Sequence, residues 1–408
     1  MREFIKYNEN IKIFKNTNSI KSEYTHQDIL SLKGFEKAKN MITTWENYLP
    51  TKLENLKDVA IKTNVNSIYY KNESSRFGLN SFKALGGAYA VANLLIKELK
   101  KLGIDANCED LIAKKYLNQT KDIHVTCATD GNHGKSVAWG ASLFGCECTI
   151  YIHADVSVNR KKEIEKYNAF VLRVDGNYDE SVKQASLDAM KNNWFVVSDT
   201  SYDGYLDVPK DVMQGYSVMV DEAINQLEGV IPTHIFIQGG VGGLAAAVCS
   251  YVWEKLGNKK PIFTVVEPEV ADCLFKSAQA GKPVIVDGKL DTIMAGLACG
   301  EVSLLAWDIL KEGSDYFITI NDDSAKDTMR LLASQLIPII AGESAVAGLS
   351  AFLTVASDKE KRSLLQIDEN SIILFFGSEG DTDKEVYKSI IGKSSEELLN
   401  ENQSKTIK

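Results

Sequence analysis

Short runs rich in β-branched and aromatic residues alternate with amphipathic stretches along most of the chain, and this rhythm restricts the possible folds more than any other feature. The runs 66–71, 124–129, 148–153, 170–174, 194–198, 234–238, 262–267, 316–320 and 372–376 are predicted strands. The stretches 133–144, 178–192, 208–227, 244–256 and 323–336 are predicted helices. Strand, helix, strand in succession implies parallel sheets joined by right-handed crossovers. The fold class is therefore α/β: two domains with open, mostly parallel twisted sheets flanked by helices. No Gly/Ser-rich linker separates the domains, so one of them is expected to be discontinuous. Residues 1–90 with 200–408 are expected to form a large domain, and 91–199 a small one. In such sheets ligands bind beyond the carboxyl ends of the strands, so the residues just after each run are where chemistry is sought.

Composition narrows the ligand. The net charge is −9 and the basic residues are scattered, which argues against nucleic acid or an anionic membrane as the main partner and favours a small molecule. The longest nearly unbroken apolar run, 244–253, is about half of a membrane span. The first fourteen residues mix charges without an apolar core, so no secretory signal is read there and the cytoplasm is the expected location. Seven cysteines include only one close pair, Cys146 and Cys148, and the five histidines show no metal-binding spacing. No metal is expected, and Cys273 and Cys299 are expected to be free thiols in a reducing compartment.

Four segments carry the candidate chemistry. Arg76-Phe-Gly-Leu-Asn-Ser-Phe-Lys83-Ala-Leu-Gly-Gly87 follows a strand and opens a helix. Lys83, behind Phe82 in an apolar setting, is an amine whose pKa desolvation would draw toward ~7 to 8, usable as nucleophile or base. Thr129-Asp-Gly-Asn-His-Gly134 follows the next strand, and its amides could hold a carboxylate at a helix start; a plain helix cap by Asp130 or Asn132 is the alternative. Gln238-Gly-Gly-Val-Gly-Gly243 lets amides converge on a phosphate and is neither the dinucleotide pattern nor a Walker A loop. Gly377-Ser-Glu-Gly-Asp-Thr-Asp383 follows the last strand.

The ordered set resembles the fold-type II family of pyridoxal-phosphate enzymes over roughly residues 67–383. The resemblance implies a pyridoxal 5'-phosphate cofactor held in the large domain. Lys83 would bond to its aldehyde, with Phe82 alongside. Gly239, Gly240, Val241, Gly242 and Gly243 would hold the phosphate, Asn132 the ring hydroxyl and Ser378 the pyridine nitrogen. Thr129, Asp130, Gly131, Asn132, His133 and Asp199 would bind substrate. Most of the family has Ser or Thr where this chain has Asp130. That departure resembles the diaminopropionate ammonia-lyase branch, as do Asp199-Thr-Ser-Tyr-Asp-Gly-Tyr205, Met294-Ala-Gly-Leu-Ala-Cys-Gly300 and Gly342-Glu-Ser344. The branch implies conversion of 2,3-diaminopropionate to pyruvate and two ammonia, by a homodimer.

The residues suit such a reaction. Lys83 can remove the α-proton, and a neutral hydroxyl such as Ser378 favours elimination over transamination. An anionic Asp130 or Asp199 would keep the leaving β-amine protonated. Lys83, Asp130 and Asp199 are therefore the expected catalytic residues. Asp130 as a second base on the other face would allow both D and L substrates. His133 is read as a solvated helix-start residue outside the proton chemistry, and Glu343 as a candidate for the cofactor edge. Rival readings are a serine/threonine deaminase of the same fold, from which Asp130 discriminates, and a non-catalytic sensor of amino acid or cofactor.

Overall fold

The computed structural model describes residues 11–129 and 131–406, with side chains to 402; Asp130 lies outside the described residues. Two compact units are present, one made of the described residues of Met1–Ser31, Pro50–Asn80 and Met219–Lys408, the other of Leu32–Leu49 and Ser81–Val218. Among the described residues eleven strands follow in chain order: β1 Ile13–Lys15, β2 Lys52–Asn55, β3 Ser67–Asn72, β4 His124–Ala128, β5 Glu147–Ile152, β6 Phe170–Arg173, β7 Phe195–Val196, β8 His234–Gln238, β9 Ile262–Pro268, β10 Tyr316–Ile320 and β11 Ile372–Gly377. The larger unit holds a seven-stranded sheet ordered β1-β10-β9-β8-β11-β3-β2, and the smaller a four-stranded sheet ordered β6-β5-β4-β7. All pairings are parallel except those of the two edge strands, β1 on β10 and β2 on β3.

The α/β class with mostly parallel sheets is thus what the alternation required. β1 and β2 were not legible, since one is three residues long and the other, Lys-Leu-Glu-Asn, carries no alternating apolar face. The central strands β8, β10 and β11 are buried nearly throughout, which is why they read as continuous apolar runs. Their core includes Phe236, Phe352 and Phe375, whose rings pack at 5.6–6.0 Å. Among the described residues no helix is long and apolar enough to cross a membrane.

The unit boundaries differ from 90 and 200. The helix Lys83–Lys101 belongs wholly to the smaller unit because it packs tightly on the helix Asn132–Phe144: a Cβ on Gly87 would meet Ser136 Oγ at 2.3 Å, and one on Gly140 would meet Ala88 Cα at 2.8 Å. Residues 32–49 join them, with Trp45 edge-on to Trp139 and Phe144 and its indole N–H on Cys108 Sγ at 3.2 Å.

Buried charge organises the larger unit next to the first motif. Arg76 grips two carboxylates in bidentate fashion: Nε and one terminal nitrogen reach Glu73 at 2.8 Å, and both terminal nitrogens reach Glu222 at 2.8–2.9 Å. Lys71 Nζ completes the cluster on Glu222 at 2.7 Å, Thr51 O at 2.6 Å and Gln226 Oε1 at 2.9 Å. All four charged groups are buried and their charges cancel. Directly after Arg76 the backbone enters the left-handed region at Phe77, Gly78 and Asn80, with φ of 50°, 72° and 60°. Strain of this kind persists only where its surroundings over-determine it, and the Arg76 clamp does so at one end.

Arg76→Met is therefore expected to lower unfolding free energy by about 3–5 kcal/mol, because two buried carboxylates would face one lysine. A loss of unfolding free energy below about 1 kcal/mol in urea denaturation would show that the cluster is not desolvated. The pH dependence has a definite sign. Burial pushes the Glu222 carboxyl up, but Arg76 and then Lys71 outweigh this and hold it below the usual range. The stability it contributes is full above the ordinary carboxylate pKa and is lost as pH falls through the depressed value. In Arg76→Met that loss should begin at higher pH.

Candidate active site

Two groups of candidate residues form, one in each unit. In the smaller unit Lys83 is the first residue of the helix Lys83–Lys101, and its ammonium donates a hydrogen bond to Asp199 Oδ2. Both side chains are partly buried. Burial pushes the Asp199 carboxyl up, yet the Lys83 charge and the Lys83 hydrogen bond outweigh it and hold the group well below the usual carboxylate range. Lys83 Nζ also lies over two aromatic faces, 5.5 Å from the Phe82 centroid and 5.8 Å from that of Tyr216. The glycines after Lys83 have a steric purpose: a Cβ on Gly86 would meet Tyr216 Cε1 at 2.4 Å, while Gly87 admits Ser136, whose hydroxyl donates to Lys83 O at 2.6 Å. Tyr216 and Ser136 escaped the sequence reading because a mid-helix tyrosine and serine carry no signal of their own.

Asp199 is held in direction by its own loop. Tyr205 Oη accepts from Ser198 N and donates to Val196 O, both at 2.9 Å, and Tyr202 stacks on Tyr205 at 4.9 Å. His133 is fastened to the same strand end, Nε2 to Val197 O at 2.8 Å. A carbonyl only accepts, so Nε2 carries the proton; burial pushes the imidazole pKa down, and the ring is neutral. Its Nδ1 lone pair stands 3.9 Å from Asp199 Oδ2 and has no hydrogen-bond partner among the described residues. The expectation of a solvated histidine is corrected: the ring is 7% exposed, because the first turn of its helix points into the unit rather than out of it.

Of the two residues in the cap alternative, Asp130 lies outside the described residues, and Asn132 is the first helical residue and not the cap; Thr129 Oγ1 accepts from Gly131 N at 3.0 Å and Gly134 N at 3.1 Å. Thr129, Gly131, Asn132, His133, Lys83 and Asp199 thus belong to one neighbourhood of the smaller unit.

In the larger unit the glycine loop runs from the end of β8 to the N-terminus of the helix Gly243–Leu256. Gly240 and Gly242 have φ of +64° and +99°, and Cβ atoms there would meet Gly296 O at 3.2 Å and Ala306 Cβ at 3.1 Å. Among the described residues no acceptor pairs with the amides of Gly240, Val241 or Gly243. Open amides at a helix N-terminus, on a backbone that glycine alone adopts readily, fit a phosphate. Ser378, one residue past β11, accepts a hydrogen bond from Gln238 Nε2 at 2.7 Å. The remaining motifs join this side: Gly296 N donates to Ser344 Oγ at 3.1 Å, Ser344 N to Glu379 Oε1 at 3.2 Å, and Gly342 N to Glu379 O at 3.1 Å. Neither Cys273 nor Cys299 is in a disulfide, and Cys273 Sγ lies 3.6 Å from Gly240 O.

Each unit thus holds a group that fits part of pyridoxal phosphate: an amine at a helix start in the smaller unit, and a phosphate-type glycine loop in the larger. The pyridoxal-phosphate dependent enzyme family matches residues 44–376, and the chain belongs to it. Diaminopropionate ammonia-lyase of Salmonella typhimurium is 37% identical over 360 residues, which cover 85% of this chain and 88% of that protein. The Escherichia coli enzyme in complex with an aminoacrylate–pyridoxal phosphate azomethine intermediate superposes with a TM-score of 0.85 at 34% identity, covering 94% of this chain and 97% of that one. The same enzyme in complex with D-serine gives 0.86 at 34% identity, covering 95% and 99%. Within the larger family, then, this chain is a member of the diaminopropionate ammonia-lyases.

Proposed function

We propose that the chain eliminates ammonia from 2,3-diaminopropionate, with pyridoxal 5'-phosphate as cofactor, giving pyruvate and two ammonia for one water consumed. When bound, pyridoxal phosphate acidifies the α-proton by drawing the electron pair left at Cα into its ring. Everything else falls to the chain. Lys83 would hold the cofactor through Nζ and, with substrate bound, would take up the α-proton at that atom. Gly239 to Gly243 would hold the phosphate, Asn132 the ring hydroxyl and Ser378 the ring nitrogen.

The observation that carries this reading is the pairing of Lys83 with Asp199. A carboxylate kept ionised beside the reactive amine has little to offer serine or threonine, whose leaving group is a hydroxyl. For a diamino acid it holds the β-ammonium in its charged form, without which ammonia leaves poorly. His133, neutral and with Nδ1 open toward Asp199, does not compete for that charge. Asp130 is the second base, serving the D-enantiomer; the relative crystallised with D-serine supports this. The enzyme works as a cytoplasmic homodimer. Seven unbridged cysteines suit a reducing compartment, and the adjacent exposed Leu336 and Ile337, 87% and 63% accessible, suit an interface between copies.

Ammonia and pyruvate release by the purified, cofactor-loaded protein tests the reading. The expected result is two ammonia per pyruvate from 2,3-diaminopropionate, with kcat/KM for serine and threonine at least about tenfold lower, the factor given by 1.4 kcal/mol of discrimination. Equal or greater kcat/KM on either hydroxy amino acid would assign the chain to the deaminases instead.

A further inference from the structure

We infer that Gln238 is a positioning residue that fixes Ser378 as a hydrogen-bond donor toward the cofactor's ring nitrogen, an inference that rests on the cofactor assignment above. Gln238 is the last residue of β8, and Ser378 follows the last residue of β11, its parallel neighbour in the sheet. Gln238 and Ser378 are 2% and 3% exposed. Gln238 Nε2 donates to Phe376 O at 2.8 Å and to Ser378 Oγ at 2.7 Å.

The carbonyl of Phe376 settles which way the amide faces. A backbone oxygen cannot donate, so the nitrogen end of the glutamine must point at it, and the second N–H on that nitrogen then points at Ser378. Ser378 Oγ is therefore an acceptor toward Gln238, and its single proton is left for another acceptor. Among the described residues the hydroxyl donates to none. The carboxylate of the adjacent Glu379 is turned to Ser344 N at 3.2 Å and Thr382 Oγ1 at 3.3 Å. An unprotonated ring nitrogen accepts the Ser378 proton and satisfies the buried donor, whereas a protonated one would present a second donor and leave the hydroxyl proton unpaired. Gln238 thus acts through Ser378 to hold the ring nitrogen in its neutral form.

One near-isosteric change reverses the arrangement. In Gln238→Glu, burial favours the protonated carboxyl, whose O–H can donate to Phe376 O while its C=O accepts from Ser378. Ser378 then offers only lone pairs to the ring nitrogen. The test loads wild-type and variant protein with pyridoxal phosphate carrying nitrogen-15 in the ring and records its chemical shift, with phosphorus-31 signals confirming that cofactor is bound. The expected result is an unprotonated ring nitrogen in the wild type and an upfield shift toward the protonated position in Gln238→Glu. Gln238→Met, which has no hydrogen-bonding group, covers the case in which the glutamate variant does not fold; its ring signal should also move from the wild-type position. A protonated nitrogen in the wild type, or signals that stay in place in whichever variant folds, would overturn the inference with the cofactor still bound. Protein that takes up no cofactor would instead overturn the functional reading beneath it.

Discussion

Lys83→Ala is expected to lower turnover of L-2,3-diaminopropionate by about 10²- to 10⁴-fold, the range a positioned general base supplies, and borohydride should fix pyridoxal phosphate to the Lys83 peptide in the wild type only. A variant that keeps turnover within tenfold of wild type would remove Lys83 from the chemistry. Stability separates this from a folding defect. Removing the ammonium leaves Asp199 partly buried without its cation, which should destabilise the protein by about 1–3 kcal/mol, between the values for exposed and buried pairs. In the wild type the Asp199 carboxyl lies below its usual range, so its contribution is full above the ordinary aspartate pKa and fades only as pH falls through the depressed value. In Lys83→Ala burial is no longer outweighed, and the loss should move to higher pH. Adding Asp199→Asn should recover stability without recovering turnover, a coupling that a double-mutant cycle measures.

Strand and helix identity were largely legible because burial on both faces of a parallel sheet leaves an apolar signature that needs no partner to be read: β8 and β10 and the helix Tyr178–Asn192 coincide with their predicted ranges. The motifs were legible for a related reason, since Gly86, Gly87, Gly240 and Gly242 answer to close approach or to positive φ and stand out as clusters. Long-range pairing was not legible. Glu222, 146 residues from Arg76 in sequence, looks in its helix like any solvated carboxylate, yet it is buried as half of the arginine clamp. His133 was misjudged as solvated because its exposure depends on which way the first helical turn faces. Gln238 read as the final residue of a strand, and only the direction of its amide reveals a role. In each case the missing information is an orientation fixed by groups distant in the chain.

The second large effect expected is stereochemical. Asp130→Asn should reduce turnover of D-2,3-diaminopropionate by about 10²- to 10⁴-fold while the L-form loses far less. A lysine that carries the cofactor reaches the α-proton only from its own side, so the mirror-image substrate needs another base. Serine or threonine, usual at this position in the wider family, would serve poorly, because a hydroxyl ionises far above neutrality. A carboxylate, with an ordinary pKa near 3.9, is ionised and needs only modest elevation to act as a base. Asp199→Asn provides the contrast. If Asp199 mainly keeps the β-ammonium charged, both enantiomers depend on it, and both should slow together. The proton source changes with the enantiomer, whereas the leaving group does not. Steady-state ammonia release from each pure enantiomer, measured for the wild type and both variants, distinguishes the roles. Equal losses on D and L in Asp130→Asn would make Asp130 a binding residue and leave the D-face base to be found elsewhere, His133 Nδ1 being a neighbouring unprotonated nitrogen with no hydrogen-bond partner among the described residues.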